Sequence, residues 1–349
     1  MTSARGHRGL VVVVGSINID YVMSVERRPA PGETVGDAVL KLYAGGKGAN
    51  QAVAAALCGA SVEMVARVGS DPNGQARIGD LVVKGIGTAC VRSAAGAPTG
   101  VAFITLTPDG ENAITVAPGA NAELTIEDVE AAGDLIKTAA VLVAQLEVPL
   151  ATVVRASELA GQETIFLLNC APYRPLPNEL LERVDILVVN ESEAAGLLGR
   201  QFAGVQEAHE AAAELCKLGP RCAVVTLGPE GAVVVAADVD LHVPAPSVHV
   251  VDTTSAGDAF VGALAARLAA GDSLVESVAF GTVVGSATTE RRGAGAVVPA
   301  ELLAGGGRAT SSVLRDSAVP CGDSCLAEGV DLLAQTRSRC RSAHQDGES

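Results

Sequence analysis

Apolar residues along the chain gather in short, dense runs separated by longer stretches rich in small residues. Residues 10–14 are a β-branched run closed by Gly15, the form of a strand buried on both faces. Residues 48–57 are Ala-rich and helical, and 62–68 are strand-like again. Residues 101–107 and 113–116 alternate about Pro108-Asp109-Gly110, which predicts a hairpin in a partly exposed sheet. From residue 126 onward helices over 126–138, 151–160, 191–198 and 206–218 alternate with strands at 140–146, 164–169, 185–189 and 222–227. Residues 256–270 and 273–289 then read as two long helices. Strands separated by helical patterns predict βαβ units and a mostly parallel sheet with helices on both faces. Beyond Pro299 the texture changes. Gly305-Gly306-Gly307, scattered Ser and a polar end predict a poorly ordered extension over 303–349, with one helix near 326–336.

Composition narrows this picture. Hydrophobic residues make up 48% of the 349, but aromatics only 2% and Trp none, so the core must be aliphatic. With 25 Lys and Arg against 40 Asp and Glu, the net charge of −15 argues against nucleic acid and anionic membranes as partners. A polyanion such as ATP would need a local, preorganised site. No apolar run approaches the roughly 18 residues of a membrane span. The short basic start runs into 10–14 and then Gly15-Ser16-Ile17-Asn18 without a cleavage site, so it reads as a first strand and not a signal peptide. Several of the cysteines, such as Cys58, Cys170 and Cys222, sit in apolar runs and read as reduced, buried thiols, which predicts a cytoplasmic protein.

Two common phosphate motifs are missing. Lys47 follows Gly46, but Gly48 stands where a P-loop needs Ser or Thr, and no G-x-G-x-x-G follows the first strand. What remains is Asp252-Thr253-Thr254-Ser255-Ala256-Gly257-Asp258, directly before an apolar helix. Small residues at Ser255, Ala256 and Gly257 let backbone N–H groups converge into an anion hole at the helix N-terminus. A carboxylate at Asp258 would repel a phosphate but suits a general base beside a transferring phosphoryl group. An ordinary helix cap is the plainer alternative. Gly45-Gly46-Lys47-Gly48-Ala49-Asn50-Gln51 is either a tight turn or a close backbone approach to a ligand. Asn18 and Asp20, at i, i+2 spacing, suit the hydroxyls of a neutral sugar.

Taken in chain order, Gly15-Ser16-Ile17-Asn18-Ile19-Asp20, the 45–51 cluster, Asn190-Glu191-Ser192-Glu193, Thr226-Leu227-Gly228 and the 252–258 cluster closely resemble the ribokinase branch of the PfkB carbohydrate kinase family. The likeness runs from about residue 10 to 302. It implies a three-layer α/β/α kinase domain over 1–302 with a small β-sheet lid from about 18–45 and 98–119, and transfer of phosphate from ATP to the 5-hydroxyl of ribose. By the same resemblance, Asp258 matches the catalytic base and Ser255, Ala256 and Gly257 the anion hole. Asn18, Asp20, Gly46, Lys47, Asn50 and Glu147 match sugar ligands. Asn190, Thr226 and Gly228 match the nucleotide side. Glu193 matches a residue that organises Mg2+, although Asn190 and Glu193 also have the spacing of a helix capping box. Asp252 and Thr254 match half of a monovalent-cation site, and pairing through the lid into a homodimer is common in the family.

Two departures from the family pattern stand out. Ser255 replaces a residue that is often Gly or Ala. Val297 stands where relatives carry a Ser that completes the cation site, so a weakened potassium response is expected. Rival readings are a fructokinase-like or adenosine kinase-like enzyme, with Tyr21 and Phe103 as candidates for stacking, and a non-catalytic sugar or nucleotide sensor. In the extension, Cys321, Cys325, Cys340 and His344 form a possible zinc set, but the Cys-x3-Cys spacing is loose and a plain tail is the favoured reading.

Overall fold

The structure, a computed structural model, describes residues 9–108, 112–291 and 293. Its strands are β1 (Leu10–Val14), β2 (Asn18–Ser24), β3 (Val39–Gly45), β4 (Ser61–Gly69), β5 (Gly87–Ala94), β6 (Gly100–Leu106), β7 (Asn112–Ala117), β8 (Val141–Ala144), β9 (Ile165–Asn169), β10 (Ile186–Asn190), β11 (Cys222–Thr226), β12 (Ala232–Ala236) and β13 (Val239–Val243). The helices are α1 (Lys47–Leu57), α2 (Pro72–Val83), α3 (Ile126–Ala131), α4 (Gly133–Thr138), α5 (Leu150–Leu159), α6 (Asn178–Leu181), α7 (Glu191–Leu198), α8 (Gly204–Lys217), α9 (Ala256–Ala270) and α10 (Leu274–Thr288).

A nine-stranded sheet runs in the order β13-β12-β11-β10-β9-β8-β1-β4-β5. It is parallel from β11 to β5, and β12 joins antiparallel to both β11 and β13 at one end. β1 sits near the middle and is buried along its whole length, as its unbroken Leu-Val run requires. Its side chains divide two cores. Val11 and Val13 pack with α1, α9 and α10, while Leu10, Val12 and Val14 pack with α3, α5 and α8. These are the three layers of the expected α/β/α fold.

A separate four-stranded sheet, β3-β2-β6-β7, is built from the segments expected to form a small second sheet. β2 pairs antiparallel with β3 and parallel with β6, and β6 turns back onto β7 as the predicted hairpin. Several of its apolar residues, including Val39, Leu42, Ile114 and Val116, are exposed.

The predicted helix over 126–138 is in fact two, α3 and α4, meeting at Ala132 and Gly133. The pattern of apolar residues also gave no expectation for α2, β5, β12 or β13. The extension at 303–349, its candidate zinc ligands Cys321, Cys325, Cys340 and His344, and Val297 lie outside the described residues.

The contact that builds the site is between α1 and α9. Gly262 is the reason they can meet: a Cβ there would lie 2.4 Å from the Gln51 carbonyl oxygen and 2.5 Å from the Ala54 Cβ. On the far side of α9, Gly281 and Gly285 of α10 accept Phe260 in the same way. Small residues thus bring two helices from distant parts of the chain close enough for their first turns to share hydrogen bonds.

Candidate active site

The glycine cluster before α1 serves the chain's own packing first. Gly46 has φ 92°, a conformation that favours glycine, and a Cβ there would meet the Asn18 amide nitrogen at 2.7 Å. At Gly45 a Cβ would collide with the Asp20 carboxylate, 2.0 Å from Oδ1. At Gly48 it would meet the Ser16 nitrogen at 2.6 Å. The cluster therefore presses the start of α1 against the β1–β2 connection and lays Asp20 over bare backbone.

Around this junction the polar groups form three sets of hydrogen bonds. Glu147, just past β8, accepts from Ser16 Oγ (2.5 Å) and from the Lys47 N–H (3.0 Å), and the Gly48 N–H donates to Ser16 Oγ (3.3 Å). Asn18 accepts from Asn121 Nδ2 (2.7 Å), whose own Oδ1 receives the Ile17 N–H (2.9 Å). Asn50 Nδ2 reaches Asp258 Oδ2 at 3.1 Å and Ser255 Oγ at 3.2 Å. Gln51 Nε2 donates to Asp258 Oδ1 at 3.0 Å and to Asn169 Oδ1 at 3.0 Å. The two motifs, about 200 residues apart, meet at one carboxylate.

Asp258 is buried in the first turn of α9, where helix N–H groups lack intrahelical partners. Burial raises its pKa, opposed by the Lys47 ammonium and by the Asn50 and Gln51 amides, while Glu147 adds to the rise. Ser255, at the N-cap, has φ 61° in the left-handed region, a strained conformation for a residue with a Cβ. The hydroxyl offers compensation, because it accepts from Asn50. Gly257 faces open space where a Cβ would stand.

Asp20 is also buried, and its pKa is pushed up to about 6, first by burial, then by Glu147, with Arg77 and Lys47 opposing and Asp258 contributing to the rise. Lys47 feels the fields of Asp258, Glu147, Glu193 and Asp20, which raise its pKa against the effect of burial, so it stays a cation. It is the positive centre of an otherwise acidic floor. Arg77 of α2 is the second cation in reach of Asp20. Its side chain is almost wholly buried, paired with Asp80 at 2.7 Å, and its Nε has no hydrogen-bond partner.

The other predicted residues stand at the carboxyl ends of β10 and β11, where Asn190 and Thr226 are directly paired. Asn190 is exposed and caps α7. Its Oδ1 accepts from the Glu193 N–H, and its own N–H donates to Glu193 Oε2, the reciprocal capping box. Glu193 has its pKa raised by burial against that backbone bond, within the field of Lys47 and Asp258. Thr226 Oγ1 donates to the Val189 carbonyl (3.3 Å), and Gly228 has φ 54° in an exposed turn. Asp252 receives the Thr254 N–H on Oδ1 (2.9 Å) and the Gly293 N–H on Oδ2 (3.0 Å), so both carboxylate oxygens tie backbone together.

The metal can be tested against this donor set. Among the described residues, no group of three or more His, Cys, Asp or Glu could hold a metal ion by itself. Glu193, in the first turn of α7, is a carboxylate that would help to hold a phosphate-bound divalent ion.

Sequence reasoning passed over Ser16, Gln51, Arg77, Asn121, Gln145 and Asn169. Ser16, Gln51 and Gln145 carried a signal as members of the quoted motifs, and the other three carried none. The rival stacking pair is spoken for: Tyr21 and Phe103 stack on each other at 5.3 Å, Tyr21 Oη accepts from Asn73, and strand alternation turns Tyr21 away from Asp20.

Comparison with known proteins decides the family. The pattern described as pfkB family carbohydrate kinase matches residues 8–301. The chain belongs to that family. It is 39% identical over 292 residues to a ribokinase of Staphylococcus aureus, covering 83% of this chain and 96% of the relative. A deoxyribokinase of Salmonella typhi is 37% identical over 257 residues, covering 73% and 84%. The solved structure of Arabidopsis thaliana ribokinase complexed with ribose and ATP superposes with a TM-score of 0.74 at 32% identity, covering 82% of this chain and 93% of that one. As a member of the family the protein is an ATP-dependent carbohydrate kinase.

Proposed function

We propose that the protein transfers the γ-phosphoryl group of ATP to the 5-hydroxyl of D-ribose, giving ribose 5-phosphate and ADP. The observation that carries this reading is the buried carboxylate of Asp258, held by Asn50 and Gln51 in the first turn of α9. Asp258 takes the proton as the hydroxyl oxygen attacks phosphorus and the bond to the bridging oxygen of ADP breaks. The N–H groups at Ser255, Ala256 and Gly257 hold the phosphoryl oxygens in this reading, the Ala256 N–H giving up the Thr253 carbonyl that it reaches at 3.3 Å. Asn18 and Asp20 accept from ring hydroxyls, with Gly46, Lys47, Asn50 and Glu147 around them. Asn190, Thr226 and Gly228 face the nucleotide. Mg2+ would neutralise the β- and γ-phosphates, and Glu193 would help to hold it. Asp252 and Thr254 are the described half of a monovalent-cation site, and a weak response to potassium goes with this reading.

The exposed apolar residues of the small sheet, which acts as a lid, support pairing of two copies through it. A cytoplasmic location goes with this reading. A deoxyribose kinase is the second reading, favoured by the Salmonella relative. ATP consumption, coupled to a reporter enzyme and run over ribose, 2-deoxyribose, fructose and adenosine, tests the assignment. Ribose is expected to give the highest kcat/KM, and equal or better turnover of fructose or adenosine would overturn it.

A further inference from the structure

Behind Asp258 lies a chain of neutral amides that the reaction itself does not use. Gln51 and Gln145 are fully buried and Asn169 nearly so. Gln51 Nε2 donates both to Asp258 Oδ1 and to Asn169 Oδ1, each at 3.0 Å, and Gln51 Oε1 accepts from Gln145 Nε2 at 2.7 Å. Asn169 Nδ2 donates onward to the Val188 carbonyl at 3.1 Å. Gln145 Oε1 is then left buried with no hydrogen-bond partner. It lies against Gly15, where a Cβ would stand 2.0 Å from it.

A buried acceptor without a donor is costly, so something must fix the chain in this sense. An ionised carboxylate accepts only. Facing Asp258, Gln51 must present its N–H groups, since the opposite orientation would set its carbonyl oxygen against Asp258 Oδ1 and Asn169 Oδ1 together. That choice turns Gln51 Oε1 toward Gln145, which must donate in turn, and the unpaired oxygen falls at the end of the line.

We propose that Gln51, backed by Gln145 and Asn169, is a positioning relay for Asp258: its one-way line of donors holds the carboxylate ionised and aims it at the acceptor hydroxyl. Gln51 is fully buried, with no surface to offer a substrate, and acts through Asp258. The proposal rests on Asp258 being the base.

Gln51→Met removes the donors at similar volume. Its kcat is expected to fall about 10–100-fold, with KM for ribose and ATP changed less than about threefold. The acid limb of kcat moves to higher pH, because the ionised form has lost a donor. In an Asp258→Asn background, read by single turnover, the same substitution adds no further loss. Wild-type kcat and acid limb in Gln51→Met, or an equal loss in both backgrounds, would overturn the relay. If Gln51→Met does not fold, Gln145→Met breaks the line one link further back and carries the same readouts with a smaller fall. Full activity in Asp258→Asn alone would remove the base assignment and the relay with it, a result distinct from a silent Gln51.

Discussion

The two ends of the site are built differently. At the acceptor end Asn18, Asp20, Asn50 and Asp258 are all buried, and all but Asp20 are held by side-chain hydrogen bonds. At the nucleotide end Asn190 and Gly228 are exposed, and Asn190 and Glu193 spend their bonds on each other as a helix cap. The acceptor end is ordered largely by its own side-chain hydrogen bonds, with Asp20 left as a buried acceptor. The nucleotide end is open surface at the sheet's carboxyl edge, where phosphates and their metal must bring part of the order. Discrimination should therefore lie with the sugar, and substitutions at the two ends should differ in size and in the substrate they affect.

The largest effect is expected at Asp258. Asp258→Asn should lower kcat by about 10²–10⁴-fold while calorimetric ribose binding stays within a few-fold of wild type. The amide keeps the volume, but one of its N–H groups must face the donor of Asn50 or Gln51. A turnover near wild type would make Asp258 a helix residue only.

Next comes Asp20. Asp20→Ala should reduce kcat/KM for ribose by about 10–100-fold and leave KM for ATP alone. A change confined to ATP would reverse the assignment of the two ends. The charge state of Asp20 supplies a pH test of the same point. Its carboxyl is pushed up to about 6, and protonation removes acceptor capacity, so kcat/KM for ribose should fall as pH drops through about 6. An acid limb lying near the ordinary carboxylate range would show that Asp20 does not limit sugar binding.

At the nucleotide end the changes should be small. Asn190→Ala should raise KM for ATP a few-fold and cost about 1 kcal/mol of stability through the lost cap. Thermal melts with and without ATP separate the two parts. Smallest of all, Ser255→Gly relieves the left-handed strain and gives up the bond from Asn50, so stability should rise by no more than about 1 kcal/mol and kcat should move less than about threefold.

How much of this was legible in the sequence follows the same division. β1, α9 and α10 announce themselves, since unbroken apolar runs have few other solutions. α2 does not, because Gly74, Gly79 and the buried Arg77 blur its apolar face. β13 hides because it ends the sheet and Asp240 and His242 interrupt its pattern, whereas β12 is an unbroken apolar run, Ala232–Ala236, that sequence reasoning passed over. The glycine motif and the 252–258 motif carry chemistry in fixed spacing and so pointed to Asn50 and Asp258. Gln145 and Asn169 have no such spacing. Each is a neutral amide in an apolar run, and its partner lies far away in the chain and becomes a neighbour only when α1, β8 and β9 assemble.

The most direct test of the account is the ratio of kcat/KM for D-ribose to that for 2-deoxy-D-ribose in the same preparation. If buried Asp20 accepts from the 2-hydroxyl, removing that donor strands a buried acceptor, and ribose should be preferred by roughly 10–100-fold. A ratio of one or below would contradict the ribose assignment and favour the deoxyribose reading.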